Sequence, residues 1–268
     1  MAINELIEKD SSGNPIQIHY ELSGGMKLSM KHLEGVDCEP DTYFKGALNA
    51  LDEAATHIRA ISADRLLSDA GKQHKMAPIC TDLIGFISGS WFMVDGFEKR
   101  ILAREQALVK LPTLDPTHSA AAAENIEIRT WWRSQSQADR LRMMETFESN
   151  PETVRIQMAL LLSPIALVDI EAQRIREIWS DTKRALNPEE AAFIDTGKAS
   201  IEWAQRGIAQ LGGIARRITN MGNQEILSTI VSHPSEGRQR GYKAFGFNDH
   251  SAAEMKRYLE IKAGQKAA

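Results

Sequence analysis

The side chains that catalysis or metal binding would draw on here are seven histidines, two cysteines and a few grouped carboxylates. The histidines are His19, His32, His57, His74, His118, His233 and His250. None has a second histidine at i, i+4, the spacing by which one helix offers two ligands, and a zinc site needs three or four donors. His19 and His32 could approach one another only on a shared hairpin. Cys38 and Cys80 stand far apart without a motif partner, which argues against a zinc pair or a disulfide framework and fits a reducing compartment. Glu189, Glu190 and Asp195 form a carboxylate group. It opens a helical stretch, where acidic residues complement the helix dipole, and general acid–base work would also require a shaped pocket. Gly212-Gly213 lies inside a helical pattern with no strand before it, so it is not a phosphate-cradling loop. The expectation is no catalytic residue, no cofactor and no metal.

Two constellations suit contact with a partner instead. Trp131-Trp132-Arg133 is an aromatic pair beside a cation, the residue types that concentrate in interface hot spots. Neighbours on a helix cannot both face inward, so one tryptophan is expected in a core and the other at a surface. Arg238, Arg240 and Lys243 interleave with Tyr242, Phe245 and Phe247, a mixture found in single-strand nucleic-acid binders. The competing reading is a loop docked by its aromatic rings and solvated by its charges. Glu236 and Asp249 dilute the patch, and the chain carries a net charge of -4, so nothing global favours a polyanion.

These residues are positioned by two kinds of periodicity. Ile16, Ile18, Tyr20 and Leu22 alternate with Gln17, His19 and Glu21, and Met26, Leu28 and Met30 alternate with Lys27, Ser29 and Lys31. Ser23-Gly24-Gly25 between them supplies the positive-φ residues of a tight turn, so the N-terminal part is expected to hold one β-hairpin. From Pro40 the period becomes helical, with Phe44, Leu48, Leu51, Ala55 and Ile58 in one stripe, a stop near Gly71 and a further helix from Trp91 to Lys110. Leu111 to His118, with two prolines, reads as a linker.

Beyond it helix starts recur at Ser119, Ser136 with Asp139, Asn150-Pro151-Glu152, Ser163-Pro164 and Asn187-Pro188-Glu189-Glu190. Ile165, Val168, Ala172, Ile175, Trp179, Thr182 and Leu186 step by three and four, and so do Ile201, Ala204, Ile208, Leu211, Ala215 and Ile218. Each set is a heptad seam, and the short Asn187-Pro188 junction folds the two helices into a long antiparallel hairpin. Periodicity tells which face is buried and not by whom. Trp179, Ile208 and Leu211 therefore join Trp131, Trp132 and Arg133 as candidate interface residues. From Ser232 the pattern breaks into a glycine-containing loop, and Ser251-x-x-Glu254 caps a short basic helix, Ala252 to Lys262. The expected fold is mainly α: an elongated helical bundle with a long antiparallel helical hairpin and one N-terminal β-hairpin. Its expected divisions are 1–110, 119–232 and 233–268.

A chain of 268 residues, 43% apolar and 25% charged, can bury a sizeable core and is not disordered throughout. Its first ten residues carry Glu5, Glu8 and Asp10 and do not read as a secretory signal. Met76 to Phe97 is the one stretch that raises a membrane question. Asp82 and Asp95 argue for a core helix, whereas Gly85-x-x-x-Gly89 would suit close helix contact in lipid.

Within Ala121 to Trp179, the run that begins ENIEIRTWWRSQSQADRL combines a helix carrying Glu127-Ile128-Arg129, a Ser-initiated helix with Ala138-Asp139-Arg140-Leu141, and a proline-marked turn before a long helix. It resembles uncharacterised helical proteins encoded among the virion genes of tailed phages and prophages, over about Trp91 to Ile218. The resemblance implies a structural or assembly role and carries no active site. The expectation is a non-enzymatic virion protein in a neck, ring or internal head component. It would be made in the host cytoplasm, homo-oligomeric and in contact with other virion proteins. The alternatives are an ejection-type protein that contacts DNA or a membrane, and an enzyme whose site no linear motif reveals.

Overall fold

Alternating segments form strands and three-four segments form helices in the computed structural model, which describes residues 3–112, 119–147, 150, 153–163 and 169–267. Helix makes up 75%, as ten α-helices among the described residues, with a small antiparallel sheet at the N-terminus; the chain is mainly α.

Strands β2 (Pro15–Leu22) and β3 (Met26–Lys31) pair antiparallel with Ile18 opposite Met30, Tyr20 opposite Leu28 and Leu22 opposite Met26. The turn takes φ of +80° at Gly24 and +77° at Gly25, a region that glycine enters without a Cβ penalty. Tyr20, Leu22, Leu28 and Met30 are buried on one face. The sequence did not announce a third strand, β1 (Asn4–Lys9), which pairs with β2 and extends the hairpin to a sheet of order β1-β2-β3. All six of its residues are exposed, so no buried face imposes alternation on it.

Helix α1 (Cys38–Ala63) starts where the Asp37 carboxylate accepts from the Glu39 amide at 2.9 Å, and Pro40 sits in its first turn. It buries Phe44, Leu48, Leu51 and Ala55 as the stripe requires. It also holds the β2–β3 turn. Ser23 donates both its amide and its hydroxyl to the buried Asp52 carboxylate, the hydroxyl at 2.8 Å, and Arg59 donates to the Ser23 carbonyl. Helix α2 (Asp69–Leu108) is a single helix of 40 residues. Gly71 lies in its first turn instead of ending a helix, and no break precedes Trp91. The reversal falls earlier, where the Asp64 carboxylate accepts from the Leu66 amide at 2.8 Å.

Then follow α3 (Ser119–Ser134), α4 (Gln137–Phe147), α5 (Val154–Leu161), α6 (Asp169–Leu186), α7 (Pro188–Thr219), α8 (Asn223–Val231), α9 (Glu236–Gln239), a 3-10 turn over Gly241–Phe245 and α10 (Asp249–Ala267). The Ser136 hydroxyl caps α4, accepting from the Asp139 amide at 3.2 Å and donating to its carboxylate at 2.6 Å. Helix α10 is longer than its spacing predicts. Its cap is Asn248, whose side-chain oxygen accepts from Ser251 N at 2.8 Å, in place of the expected Ser251. Pro151, Glu152, Pro164, Ile165, Val168 and the linker core Thr113 to His118 lie outside the described residues.

The chain forms two compact units, Met1–Arg100 with Thr196–Ala268, and Ile101–Asp195. Their limits fall inside α2 and α7, not at the linker and tail positions 110, 119 and 232. The chain does reverse at Asn187. Arg184 reaches Asp195 at 2.5 Å, although eleven residues along one continuous helix would separate them by about 16 Å.

The two heptad seams, however, serve different units. Ile175, Ile178, Trp132, Met144, Phe147 and Leu160 cluster as the core of the second unit. Ile201, Ala204, Ile208, Leu211 and Ala215 are buried on the first-unit stretch of α7, together with Ser200, Trp203 and Ile214. That face is wider than a two-per-seven seam, as on a helix that lays one broad side on the core of its own unit. Phe44 meets Trp203 edge-on at 4.9 Å and Tyr20 at 5.3 Å between centroids, which ties sheet, α1 and α7 together. Ile208 and Leu211 are thus buried in the first unit, and Ile175 and Trp179 in the second.

Candidate functional site

The tail after α8 is held on α2 by missing side chains. A Cβ on Gly241 would stand 1.9 Å from the Ser88 carbonyl oxygen, and one on Gly237 would stand 2.7 Å from the Phe92 ring. On the α2 side, the Arg238 side chain lies over Gly89 and meets Gly85 together with His233. The Ser88 hydroxyl donates to the Arg238 carbonyl, and Arg238 Nη1 is 3.3 Å from His233 Nε2. Gly85-x-x-x-Gly89 is therefore occupied by this chain's own tail. Helix α2 is the one described helix long and apolar enough to cross a membrane, and 44% of its most apolar stretch is buried within the chain.

This docking leaves Arg238 half-buried and committed, while Arg240 and Lys243 stay exposed on the far side of the segment. There they edge a cleft of about 400 Å³ with Trp91, Phe92, Asp95 and Lys99 of α2, Tyr242, and Asp249 and Lys256 of α10. Lys99 pairs with Asp95 at 2.7 Å and Lys243 approaches Asp249 at 3.9 Å. Among the described residues Arg240 and Lys256 have no carboxylate partner. Four cations against two carboxylates give the cleft a net positive charge, and Trp91, Phe92 and Tyr242 line it with rings. Of the other aromatic candidates, Phe245 is buried, and Phe247 packs beside Leu227, Val231 and Ala252 with Arg216 over its ring at 4.9 Å.

Trp91, Asp95, Lys99 and Lys256 were not grouped as a site in the sequence, although Asp95 stood out as a charge in an apolar stretch and Lys256 lies in the basic C-terminal helix. The first three recur every four residues along one face of α2, and that spacing was the available signal.

Burial, together with the hydrogen bond its hydroxyl donates to Asp249 at 2.5 Å, pushes the Tyr242 phenol up to about 12. Burial also raises Tyr20, next to Glu5 and Asp41. For Tyr242 the folded chain holds its proton to a higher pH than the unfolded chain, whose phenol ionises near 10.0. Its contribution to stability is thus intact below pH 10.0 and lost as pH rises toward 12. Tyr242→Phe is expected to flatten the alkaline fall in urea midpoint over that window, and an unchanged fall would show that other groups set it.

The second unit holds the tryptophan pair. Trp132 is 1% exposed in the core cluster, while Trp131 is 41% exposed and Arg133 reaches Ser163 at 3.3 Å. Trp179 is buried and donates its indole N–H to the Val109 carbonyl at 2.7 Å. Of the residues proposed as interface anchors, Trp131 and Arg133 are free to act as such. Trp132, Trp179, Ile208 and Leu211 are core.

The remaining chemical candidates have structural partners. Arg104 grips Glu190 through two bonds of 2.7 and 2.6 Å, which holds that carboxyl below its usual range. His19 bonds Ser29 at 2.8 Å and Glu8 at 3.1 Å on the solvent face of the sheet. His32 lies opposite Ile16, on the other face, so the two histidines do not converge. Among the described residues no three metal-ligating side chains cluster. In comparisons with known proteins, no family model, no curated protein and no solved structure matches the chain.

Proposed function

We propose that this chain is a non-enzymatic assembly subunit, a structural component of a tailed-phage particle that works by pairing with further copies of itself and with other particle proteins. The observation that carries the assembly reading is the free edge of the sheet. Strand β1 is exposed along all six residues, with Leu6 at 45% and Ile7 at 50%, and one of its edges has no partner among the described residues. An open strand with apolar side chains is a template for another chain. Trp131 and Ile126 add exposed apolar surface on the second unit. The phage assignment rests on the resemblance carried by Ala121 to Trp179. It is tested by quantitative peptide mass spectrometry of purified particles from the phage or prophage that encodes the chain. A fixed copy number per particle is the expected result; absence from intact particles would contradict it.

The cleft beside Arg240 favours a second reading, contact with a polyanion such as DNA during packaging or ejection. Arg240 and Lys256 are its cations without a carboxylate partner among the described residues, and its rings would stack on bases. If this reading holds, the affinity for single-stranded DNA falls steeply with salt, and Arg240→Ala or Lys243→Ala lowers the log–log slope by about one each. Arg238→Ala is expected to destabilise the tail without that slope change. Flat salt dependence, or no binding at low salt, removes the reading.

A further inference from the structure

The open edge of β1 carries its own register. His32 donates its amide to the Ile16 carbonyl at 3.0 Å, which marks Ile16 and His32 as a directly bonded pair. In an antiparallel ladder such pairs alternate, so the backbone groups of Ile16, Ile18, Tyr20 and Leu22 point to β3. Those of Gln17, His19 and Glu21 then point to β1, where their partners are Glu8, Leu6 and Asn4. The backbone N–H and C=O groups of Glu5 and Ile7 are left facing outward, and so are those of Lys9: past the register shift between Glu8 and Lys9, the next inward-facing residue is Asp10, whose amide donates to the Asn14 carbonyl at 2.9 Å.

We infer that two copies of this chain join edge to edge through antiparallel β1 strands on a two-fold axis at Ile7, which makes one six-stranded sheet. This deepens, and rests on, the assembly reading. Three features select the pairing. It is the one antiparallel register that matches all three outward-facing residues with outward-facing residues of the second copy: Ile7 with Ile7, and Glu5 with Lys9 twice. It sets opposite charges across the seam at both ends, where parallel in-register pairing would oppose Glu5 to Glu5 and Glu8 to Glu8. It also brings together two Ile7 side chains that share a face with Ile18 and Met30 and project half-exposed beyond the core. The charges that protect this edge against indiscriminate pairing thus specify one partner, a second copy.

The test uses the full chain with Cys38→Ser, since Cys38 is exposed and Cys80 is buried. Bonded antiparallel pairs hold Cα atoms about 5.5 Å apart, within reach of a disulfide. Ile7→Cys is therefore expected to give a covalent dimer under mild oxidation. Glu5→Cys alone and Lys9→Cys alone are expected to give none, and a mixture of the two is expected to cross-link. Glu5→Lys is expected to weaken the dimer about 10-fold or more, and Glu5→Lys with Lys9→Glu to restore it. Ile7→Pro removes an amide that serves only the outer edge, so it is expected to leave a folded monomer. A chain that stays monomeric overturns the pairing, and particle copy number then decides the assembly reading separately. An oligomer that ignores the charge swap and does not cross-link at Ile7 overturns the register and leaves assembly standing.

Discussion

Ile208→Asp is expected to leave no folded first unit at any protein concentration. Ile208 is 0% exposed on α7. The positions beside it on the helix are walled in by the same unit. A Cβ on Gly207 would meet Phe44 at 2.6 Å and Met30 at 2.8 Å, and one on Gly212 would meet the Ala244 carbonyl at 2.2 Å. A carboxylate there has neither water nor a cation, and burying an unpaired charge costs more than the roughly 5–15 kcal/mol that stabilises a typical domain, unless the group takes up a proton. Because the face of α7 that carries Ile208 is covered by its own unit, dilution does not matter. Far-ultraviolet circular dichroism at low and high concentration checks this, and a well-folded, merely dissociated variant would show that α7 is an interface. Leu211→Ala, at another 0% exposed site, is expected to lower stability by about 2–5 kcal/mol in urea unfolding.

The adjacent tryptophans of α3 are expected to differ almost completely. Trp132→Ala empties the centre of a cluster that includes Met144, Phe147, Leu160 and Ile175, and should cost about 3–5 kcal/mol. Trp131→Ala removes a ring already 41% exposed and should stay near 1 kcal/mol or below. Trp132→Phe is a sharper probe. The Trp132 indole nitrogen is buried without a hydrogen-bond partner among the described residues, so phenylalanine loses ring area but also removes a donor that none of them satisfies. It is expected to cost well under half of the alanine change. Equal losses for Trp131→Ala and Trp132→Ala would contradict the assignment of inner and outer faces.

Legibility followed burial. The β2–β3 hairpin, its glycine turn and the α1 stripe could be read because each has one buried face and one wet face, which writes a period into the sequence. Strand β1 could not, because NELIEK is exposed on both faces and obeys no alternation. The same rule explains α2. Less than half of its most apolar stretch is buried, and Phe86, Met93 and Leu102 stay exposed on it, so apolar residues did not mark one face, and its length was hidden by Gly71 and Pro78 within it. The seams of α6 and α7 gave the buried faces but not the partners, and the two seams lie in different units. In the candidate cleft, Arg240 and Lys243 were visible as a local cluster. Lys99 and Lys256 were not, because they converge on that cluster only through the docking of the tail on α2. Arg238 looked equivalent to Arg240 in sequence. Two residues of helical offset turn it instead onto Gly85 and Gly89.

The most direct test of the assembly account is the mass of the full chain in solution, measured by multi-angle light scattering from low to high micromolar concentration. The account predicts a mass that rises to an even multiple of 29.8 kDa and returns to 29.8 kDa with Ile7→Pro. A mass fixed at 29.8 kDa throughout, together with no copies of the chain in purified particles, would contradict it.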